Sequence, residues 1–457
     1  MLEIEVISTE RIKPSSTTPP DLKTYKISLL DQLLPPIQVP SVFFYPNTQT
    51  TSITNIISKR SQTLKLSLAQ TLTRYYPFAG KIKEGHLSVD CNDVGVYYVE
   101  ARVNSHLLDF LSQPDTQLTH RLLPREPFHM EPKPGMNVAT VQVNFFKCGG
   151  IALSMCTSHK IIDGHTATSF LKSWADTAQG LKTECPSFIA SSLFPQNSSL
   201  PKDSSIAMWP SPVNQSKYVT RRFLFDASAL VGLKAKAASS KFVPVPSRVE
   251  AVLGLIWKSA IAASNAVNGS PKPSVFSLAV NLRRITFPHL PNLSVGNLIW
   301  SAVAQWMPNT GAKLDCLVGN LREATSKING GFVQEIQGKE GFLKVIERLK
   351  ELGDVYSNKG ANYYTCTSMC NGGLYEADFG WGRPIWVSLG DAEDLLVTNL
   401  IFLMDTRSGD GIEAWVRLSE EEMAEFVRDP EFLAFVSLDP SPLRLKLDES
   451  ICSDVAT

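Results

Sequence analysis

The sequence lacks an excess of either charge. It carries 44 basic and 44 acidic side chains in 457 residues, which gives a formal net charge of zero. A large basic face for nucleic acid or anionic lipid is therefore not expected, although a neutral chain can still hold a local anion site. The sequence also lacks any run of about 20 apolar residues, so no segment is expected to span a membrane.

The cysteines lack a paired spacing. The N-terminal stretch "MLEIEVISTE" has neither the basic start nor the apolar run of a secretory signal. Free thiols in a reducing cytosol are the simplest interpretation, and we expect a cytoplasmic protein. No C-x-x-C pair and no regular interval occur among the eight residues Cys91, Cys148, Cys156, Cys185, Cys316, Cys366, Cys370 and Cys452.

Motifs of several common catalytic sites are absent as well. There is no G-x-S-x-G elbow, which argues against a serine hydrolase of the α/β class. No H-E-x-x-H occurs, and the scattered histidines offer no third ligand for zinc, so no metal site is expected. The pairs Gly80-Lys81 and Gly338-Lys339 lack the upstream glycine or the following Ser/Thr of a P-loop.

The length indicates two domains, because one compact core rarely serves so long a chain. Residues 184–215 are rich in Pro and Ser and show no periodicity, as is typical of a linker. We therefore predict an N-terminal domain over 1–190, a crossover loop over 191–215 and a C-terminal domain over 216–457.

Periodic patterns predict a mixture of strands and helices. Alternation predicts an opening strand over 2–12, two strands around an Asn-Asp turn in 86–103, and a strand pair in 138–160 that turns at Gly149-Gly150. Apolar residues three and four apart predict a helix over 61–75, stopped by Pro77.

The rest of the chain continues this alternation. Phe170 and Trp174 lie four apart in a helix predicted after Gly164. In the second half we predict a strand over 218–226, a helix opened by the Ser247/Glu250 capping box, a buried strand over 274–284 and a hairpin around 408–411. A last helix, capped by Ser419 and Glu422, is predicted to end before Pro430.

The stretch "SHKIIDG", residues 158–164, is the first candidate for chemistry. His159 leaves a predicted strand and Asp163 precedes a predicted helix, a junction where polar side chains often face a cleft. If residues 159–163 were helical, the two side chains would share a face and the carboxylate could orient the imidazole. In a tight turn they would point apart, and Asp163 would pair with a cation instead. An isolated H-x-x-x-D in a long chain is more often a pair of ordinary loop residues.

The stretch "ADFGWGRP", residues 377–384, is predicted to be architectural. Gly380 and Gly382 are expected to adopt backbone angles closed to other residues. Phe379 and Trp381 would anchor this loop in a core, and Asp378 would bond an arginine or a backbone N–H.

Taken together, these stretches resemble the BAHD family of plant acyl-CoA-dependent acyltransferases. The resemblance covers nearly the whole chain and includes "HKIIDG", "DFGWG" and the Pro/Ser-rich crossover. It extends to "YYPFAGKI" (75–82), "VNLRRITFPHLPNLSVGN" (280–297) and "MDTRSGDGIEAW" (404–415). The chain is most similar to the branch of alkaloid and terpenoid O-acetyltransferases.

The resemblance implies an α/β fold of two similar-sized, chloramphenicol-acetyltransferase-like domains. Their mixed sheets are flanked by helices, the active-site channel runs between them, and residues of about 362–386 complete the N-terminal domain. It also implies a monomer with no bound cofactor, and no nucleic-acid or membrane partner. The co-substrate is an acyl-CoA, with acetyl-CoA favoured, and the acceptor is a small-molecule alcohol that enters from the opposite face.

Functional residues follow from the same resemblance. His159 is the general base, with a pKa near operating pH, and Thr367 is an oxyanion donor. Asp163 points away from the site and pairs with Arg283, while Gly164 lets the backbone pass close to the channel.

The acyl-CoA phosphates need donors. The N-terminus of the helix after Ser247 offers unpaired N–H groups, with Arg248 beside its cap and Lys241 just before it, so these three residues are predicted to bind CoA. Met369 and Ile285 stand where relatives often carry a tryptophan and a second arginine, which leaves the acceptor open. A bulkier acyl donor, an amine acceptor or a non-catalytic relative are the alternatives.

Overall fold

Two mixed β-sheets organise the chain in the computed structural model. The structure describes residues 2–112, 114, 116–124, 135–209, 217–286, 288–357, 360–389 and 398–444. Cys452, the last part of the predicted crossover (210–215) and the end of the predicted C-terminal domain (445–457) lie outside these residues.

The strands are short to medium in length and occur along the whole chain. They are β1 (Ile4–Ile12), β2 (Thr24–Lys26), β3 (Gln38–Tyr45), β4 (Lys81–Ile82), β5 (Ser88–Asp90), β6 (Val96–Val103), β7 (Ala139–Phe146), β8 (Ile151–Ser158), β9 (Tyr218–Phe225), β10 (Ser274–Asn281), β11 (Ile299–Trp306), β12 (Asn362–Ser368), β13 (Trp386–Ser388), β14 (Leu400–Asp405), β15 (Ile412–Ser419) and β16 (Ser437–Leu438).

The helices alternate with these strands. They are α1 (Leu29–Gln32), α2 (Ile53–Arg74), α3 (Leu107–Ser112), α4 (Thr116–Thr119), α5 (Gly164–Ala178), α6 (Ala190–Leu193), α7 (Ser204–Met208), α8 (Ala227–Ala237), α9 (Arg248–Asn268), α10 (Leu314–Ser326), α11 (Gly330–Ile336), α12 (Gly341–Tyr356), α13 (Glu420–Phe426) and α14 (Pro430–Leu433). None of the helices within the described ranges is long and apolar enough to cross a membrane.

A six-stranded sheet of order β1-β6-β7-β8-β3-β13 forms the N-terminal half. Every residue of β7 and β8 is buried, as expected for central strands covered on both faces. The predicted β7–β8 hairpin is confirmed, with Gly149 at φ +79° in its turn. Helices α2 and α5 pack on each other, and the Trp174 indole N–H donates to the Leu64 carbonyl at 3.2 Å.

A seven-stranded sheet of order β11-β10-β12-β14-β15-β9-β16 forms the C-terminal half. The capping box at Ser247 and Glu250 is confirmed. Helix α9 packs most of its length into the hydrophobic core of the C-terminal half. The β14–β15 hairpin is also confirmed. The expected mixed α/β class is therefore correct, since β6–β7, β10–β12 and β12–β14 are parallel pairs and the other ladders are antiparallel.

Some local predictions need correction. The two strands predicted in 86–103 both form, but they join different sheets: β5 pairs with β2 and β4, whereas β6 pairs with β1 and β7. Helix α13 ends at Phe426, before Pro430 as predicted, but it is not the last helix, because Pro430 opens the further helix α14, whose first turn suits its fixed φ. The predicted crossover also contains most of α6 and all of α7, and Ala190, Phe194 and Met208 in and beside these helices are buried in a separate hydrophobic core, called here the third core.

Between β12 and β13 the chain crosses from the C-terminal sheet to the N-terminal sheet. The segment expected to complete the N-terminal domain, 362–386, begins with β12, and that strand lies in the C-terminal sheet. Strand β13, by contrast, pairs antiparallel with β3 at the edge of the N-terminal sheet. Trp386 on β13 stacks on Phe44 at 5.2 Å and on Trp415 at 6.0 Å, so one buried ring contacts both sheets. The chain between these strands passes the functional site.

Candidate active site

His159 lies immediately beyond the C-terminal end of β8. Its backbone N–H donates to the Ile37 carbonyl at 2.8 Å, and the side chain is half-buried. The Ser158 carbonyl then accepts from the N–H groups of Ile161 and Ile162, which closes a tight turn. Residues 159–163 are therefore not helical, and α5 begins only at Gly164.

Asp163 is the N-cap of α5 and points away from the imidazole. Its backbone is extended (φ −85°, ψ 175°), and one carboxylate oxygen accepts from the Thr166 N–H at 2.8 Å. The Arg283 guanidinium binds the same carboxylate in a bidentate pair at 2.7 and 3.1 Å. Both side chains are less than 5% exposed. Burial acts to raise the pKa of Asp163, but the charge and hydrogen bonds of Arg283 outweigh it, so this pKa lies below its ordinary value.

Arg283 extends this contact to a loop of the C-terminal half, residues 294–298. Its guanidinium donates to the carbonyls of Ser294 and Gly296, both at 2.9 Å. The Leu298 N–H donates to the other oxygen of Asp163 at 3.3 Å. The ion pair therefore anchors this loop beside the histidine turn.

Asn297, in the middle of that loop, bonds His159 directly. Its amide oxygen lies 3.0 Å from Nδ1 of the imidazole. Its amide nitrogen donates to the His159 carbonyl at 2.7 Å and to the Asp31 carboxylate at 2.8 Å. Because both of those partners are acceptors, the amide cannot be flipped, and its oxygen must accept from an Nδ1–H group. The neutral imidazole thus carries its proton on Nδ1 and an open lone pair on Nε2.

The surroundings keep His159 neutral. Burial lowers the pKa of its imidazole below the ordinary value, and the positive charge of Lys160 acts in the same direction. Asp163 and the hydrogen bond that the ring donates to Asn297 oppose this shift without reversing it. An unprotonated imidazole at neutral pH is the form that can accept a proton.

Strand β12 brings Thr367 and Met369 to the same face of the C-terminal sheet, because side chains two apart in a strand share a face. A methyl group on Gly164 would lie 2.2 Å from the Met369 sulfur, so Met369 packs directly against the backbone of the histidine motif and any larger residue at 164 would displace its side chain. Thr367 is half-buried, and no hydrogen bond to its hydroxyl exists within the ranges given above. Its hydroxyl is therefore available on the side of the sheet that faces the histidine motif.

The loop at 377–384 lies at the far end of α5. The Asp378 carboxylate accepts from the N–H groups of Gly380 and Gly382, which have the predicted positive φ of +95° and +98°. Phe379 packs edge-on against Trp174, and Gln179 donates to the Asp378 carbonyl at 2.5 Å. Since a helix rises about 1.5 Å per residue, this loop lies roughly 20 Å from Asp163.

The residues predicted to bind CoA differ in their contacts and in their exposure. Ser247 caps α9 together with Glu250, whose carboxylate is bonded by Arg322. Arg248 is partly exposed but already paired, because it bonds the Asp405 carboxylate at 2.6 Å and the Gly409 carbonyl at 2.7 Å. Lys241 is exposed, with its ammonium 5.0 Å above the Phe242 ring.

Other sequence-based expectations concern metals and the departure at Ile285. Ile285 packs against the third core. Among the residues described, no group of three or more potential ligands is placed to hold a metal ion.

Asn297 and Asp31 were not identified from the sequence. Asn297 lies within the stretch 280–297, but 138 residues separate it from His159.

Comparisons with known proteins show what the whole chain is similar to. A model of the Transferase family matches residues 2–433. The chain is 45% identical to a limonoid 7-O-acetyltransferase of Citrus sinensis over 97% of this chain and 100% of the relative. Its fold is similar to the crystal structure of vinorine synthase (TM-score 0.80, 35% identity, 95% and 99% of the two chains). It also resembles F. sporotrichioides TRI101 complexed with coenzyme A and T-2 (TM-score 0.66, 18% identity, 91% and 99%), a likeness of fold alone.

Removing the Asp163 carboxylate is predicted to destabilise the protein. In Asp163→Ala, Arg283 would stay buried without a counter-charge, which costs about 3–5 kcal/mol. Urea denaturation of the variant should show that loss. Asp163→Ala combined with Arg283→Met removes both charges and should lose less stability than the single variant. An unchanged free energy of unfolding in Asp163→Ala would contradict this role.

Turnover is predicted to fall on acidification with an inflection below pH 6.5. The pKa of His159 is lowered, so the ring becomes protonated, and inactive as a base, only below its ordinary titration range. The measurement is kcat at saturating substrates from pH 5 to 8, because saturation removes the effect of CoA phosphate titration on binding. Circular dichroism at each pH controls for unfolding. A kcat inflection at pH 7 or above would refute the prediction.

Proposed function

The chain belongs to the BAHD family of plant acyl-CoA-dependent acyltransferases, and from this premise we propose that it transfers an acetyl group from acetyl-CoA to a hydroxyl group of a plant specialised metabolite. The preferred acceptor is a terpenoid or alkaloid alcohol. The 45% identity to a limonoid 7-O-acetyltransferase supports both the acetyl donor and a bulky, largely apolar acceptor.

The observation that carries the proposal is the state of His159. Its Nδ1–H is committed to Asn297, and its lowered pKa leaves Nε2 with a free lone pair at neutral pH. A base in this state can remove the proton from an acceptor hydroxyl. Such general-base assistance contributes roughly 10²–10⁴-fold to the rate.

The reaction proceeds by direct attack. Nε2 takes the hydroxyl proton while the acceptor oxygen forms a bond to the thioester carbonyl carbon. The C–S bond then breaks, and the departing CoA thiolate receives the proton from the imidazolium. No acyl-enzyme is required, because both substrates are bound together and their juxtaposition itself accelerates the reaction.

Thr367 is proposed as the donor to the oxyanion that develops on the carbonyl oxygen. Its half-buried hydroxyl lies on the strand face that also carries Met369, which contacts the His159 motif at Gly164. A preorganised donor of this kind is worth roughly 10²–10³-fold in kcat. Met369 is flexible and polarizable, so it suits an irregular acceptor better than a rigid indole would.

We also propose that the acyl-CoA phosphates bind near Lys241, Ser247 and Arg248. The 21-residue helix α9 presents its positive end there, and Lys241 is exposed beside it. Because Arg248 already bonds Asp405, it would act mainly by shaping the cap, and Lys241 would supply the mobile charge. A monomer in the cytosol completes the proposal, and the seven free thiols among the described residues are compatible with that compartment.

His159→Ala is predicted to lose two or more orders of magnitude in turnover with an unchanged melting temperature. The assay follows CoA thiol release from acetyl-CoA with a panel of limonoid and alkaloid alcohols. His289→Ala is the control, because His289 is an exposed histidine whose ring bonds the Thr286 carbonyl outside the site. Near-normal turnover in His159→Ala would refute the base.

The same assay separates the alternatives. Faster thiol release with longer acyl-CoAs would show a bulkier acyl donor, and amine-dependent release would show a different acceptor. If no acyl-CoA releases thiol with any acceptor, the chain is a non-catalytic relative and the proposed function is wrong.

Charge reversal of Lys241 tests the CoA site. Lys241→Glu should raise the KM for acetyl-CoA roughly 2–5-fold at low salt, as expected for an exposed charge pair. The increase should shrink at high salt because ions screen the interaction, and the acceptor KM should not change. Lys59→Glu, an exposed lysine on α2, is the control. An unchanged KM for acetyl-CoA at low ionic strength places the phosphates elsewhere.

A further inference from the structure

Asp31 is a completely buried carboxylate that the mechanism above does not use. It lies in the four-residue helix α1 and is 0% exposed. One oxygen accepts from the Ser28 backbone N–H at 2.8 Å and from the Ser28 hydroxyl at 2.7 Å. The other accepts from the Asn297 backbone N–H at 2.7 Å and from the Asn297 side-chain amide at 2.8 Å.

These contacts favour the ionised form of Asp31. Four donors point at its two oxygens, so a proton on the carboxyl group could enter only by displacing one of them. Burial raises the pKa of Asp31 above its ordinary value, and the bonds from Asn297 and Ser28 oppose that shift without reversing it. A positive charge also lies close by, since the buried Lys160 ammonium donates to the Asp31 carbonyl at 3.0 Å.

Lys160 fixes the chain that carries Asp31. Its ammonium also donates to the carbonyls of Gln32 and Leu34, at 3.1 and 2.7 Å. Because Lys160 directly follows His159 in the sequence, the segment 31–34 is held against the histidine turn. Asp31 therefore occupies a fixed position relative to the imidazole.

Asp31 and the His159 carbonyl, which both accept from the Asn297 amide nitrogen, together determine which way the Asn297 amide faces. In the observed orientation the amide nitrogen meets the carboxylate and the amide oxygen meets Nδ1 of His159. A flipped amide would set its oxygen against a carboxylate oxygen, two acceptors in contact, and would offer N–H to Nδ1. Nδ1 would then have to accept, and the proton of the imidazole would move to Nε2, where it blocks base catalysis.

We propose that Asp31 is a positioning residue for acyl transfer, which acts through Asn297 to hold His159 in the Nδ1–H form with Nε2 free. The inference rests on the proposed role of His159 as the base. A purely local role as the cap of α1 does not account for the contact, because 266 residues separate Asp31 from Asn297 and α1 is a single turn.

Asp31→Asn is the first test. An amide in place of the carboxylate cannot accept all four hydrogen bonds, and its nitrogen can push the Asn297 amide into the flipped orientation. We expect kcat to fall about 10–10²-fold, a part of what a general base contributes, with the KM for acetyl-CoA changed less than twofold. Asp226→Asn, which alters the capping carboxylate of α8, is the control and should leave kcat unchanged.

A double-mutant cycle distinguishes positioning from stability alone. If Asp31 acts through Asn297, then Asn297→Ala should lower kcat by itself, and Asp31→Asn should add less than twofold in that background. The proposal is overturned if the fold-loss of kcat in the double variant equals the product of the losses in the two single variants. A normal kcat in Asp31→Asn overturns it as well.

Asn297→Ala serves as the test if Asp31→Asn fails to fold. This variant removes the amide that links Asp31 to His159 while it leaves Asp31 and Ser28 intact. A near-normal kcat in Asn297→Ala overturns the proposal. His159→Ala is run in parallel. If that variant is active, the proposed role of His159 as the base fails, and the role of Asp31 fails with it; if it is inactive while Asp31→Asn is normal, only the role of Asp31 fails.

Discussion

A buried ion pair between Asp163 and Arg283 joins the two halves of the molecule at the point where the chemistry is proposed. Burying two charges carries a desolvation cost that their attraction repays only with good geometry and further hydrogen bonds. Here the carboxylate also bonds backbone N–H groups and the guanidinium also bonds carbonyls, so the pair is well satisfied. Its main consequence is spatial, because it fixes the loop 294–298 beside the turn that carries His159.

A second buried carboxylate holds the same loop from the other side. Asp31 bonds Asn297 through both its backbone and its side chain, while Asp163 bonds the neighbouring N–H of Leu298. Two anions from the N-terminal half therefore hold adjacent residues of the C-terminal half. Neither anion bonds the imidazole; Asn297, a neutral amide, makes that contact. This arrangement lets His159 keep a low pKa and a free Nε2, which a directly bonded carboxylate would work against.

Much of this could be predicted from the sequence, for physical reasons. The hairpin β7–β8 and helix α5 could be predicted because an apolar stretch divided by the Gly149-Gly150 turn and apolar residues at helical spacing are both local signals. The H-x-x-x-D spacing left two geometries open, and only the family resemblance indicated Arg283. Asn297 could not be found from spacing, since its contact with His159 depends on how the halves pack. Asp31 had a local signal, the Ser28-x-x-Asp31 pattern of a capping box, but that pattern predicts only a helix start. The sheet membership of β5 and β12 likewise depends on long-range pairing.

The nitrogen chemical shifts of the His159 imidazole test this account most directly. They can be recorded by NMR on protein with ¹⁵N-labelled histidine, and assigned by the signal lost in His159→Ala. At pH 7.5 the account predicts a protonated Nδ1 and an unprotonated Nε2. A proton on Nε2, or an imidazolium at that pH, would contradict it.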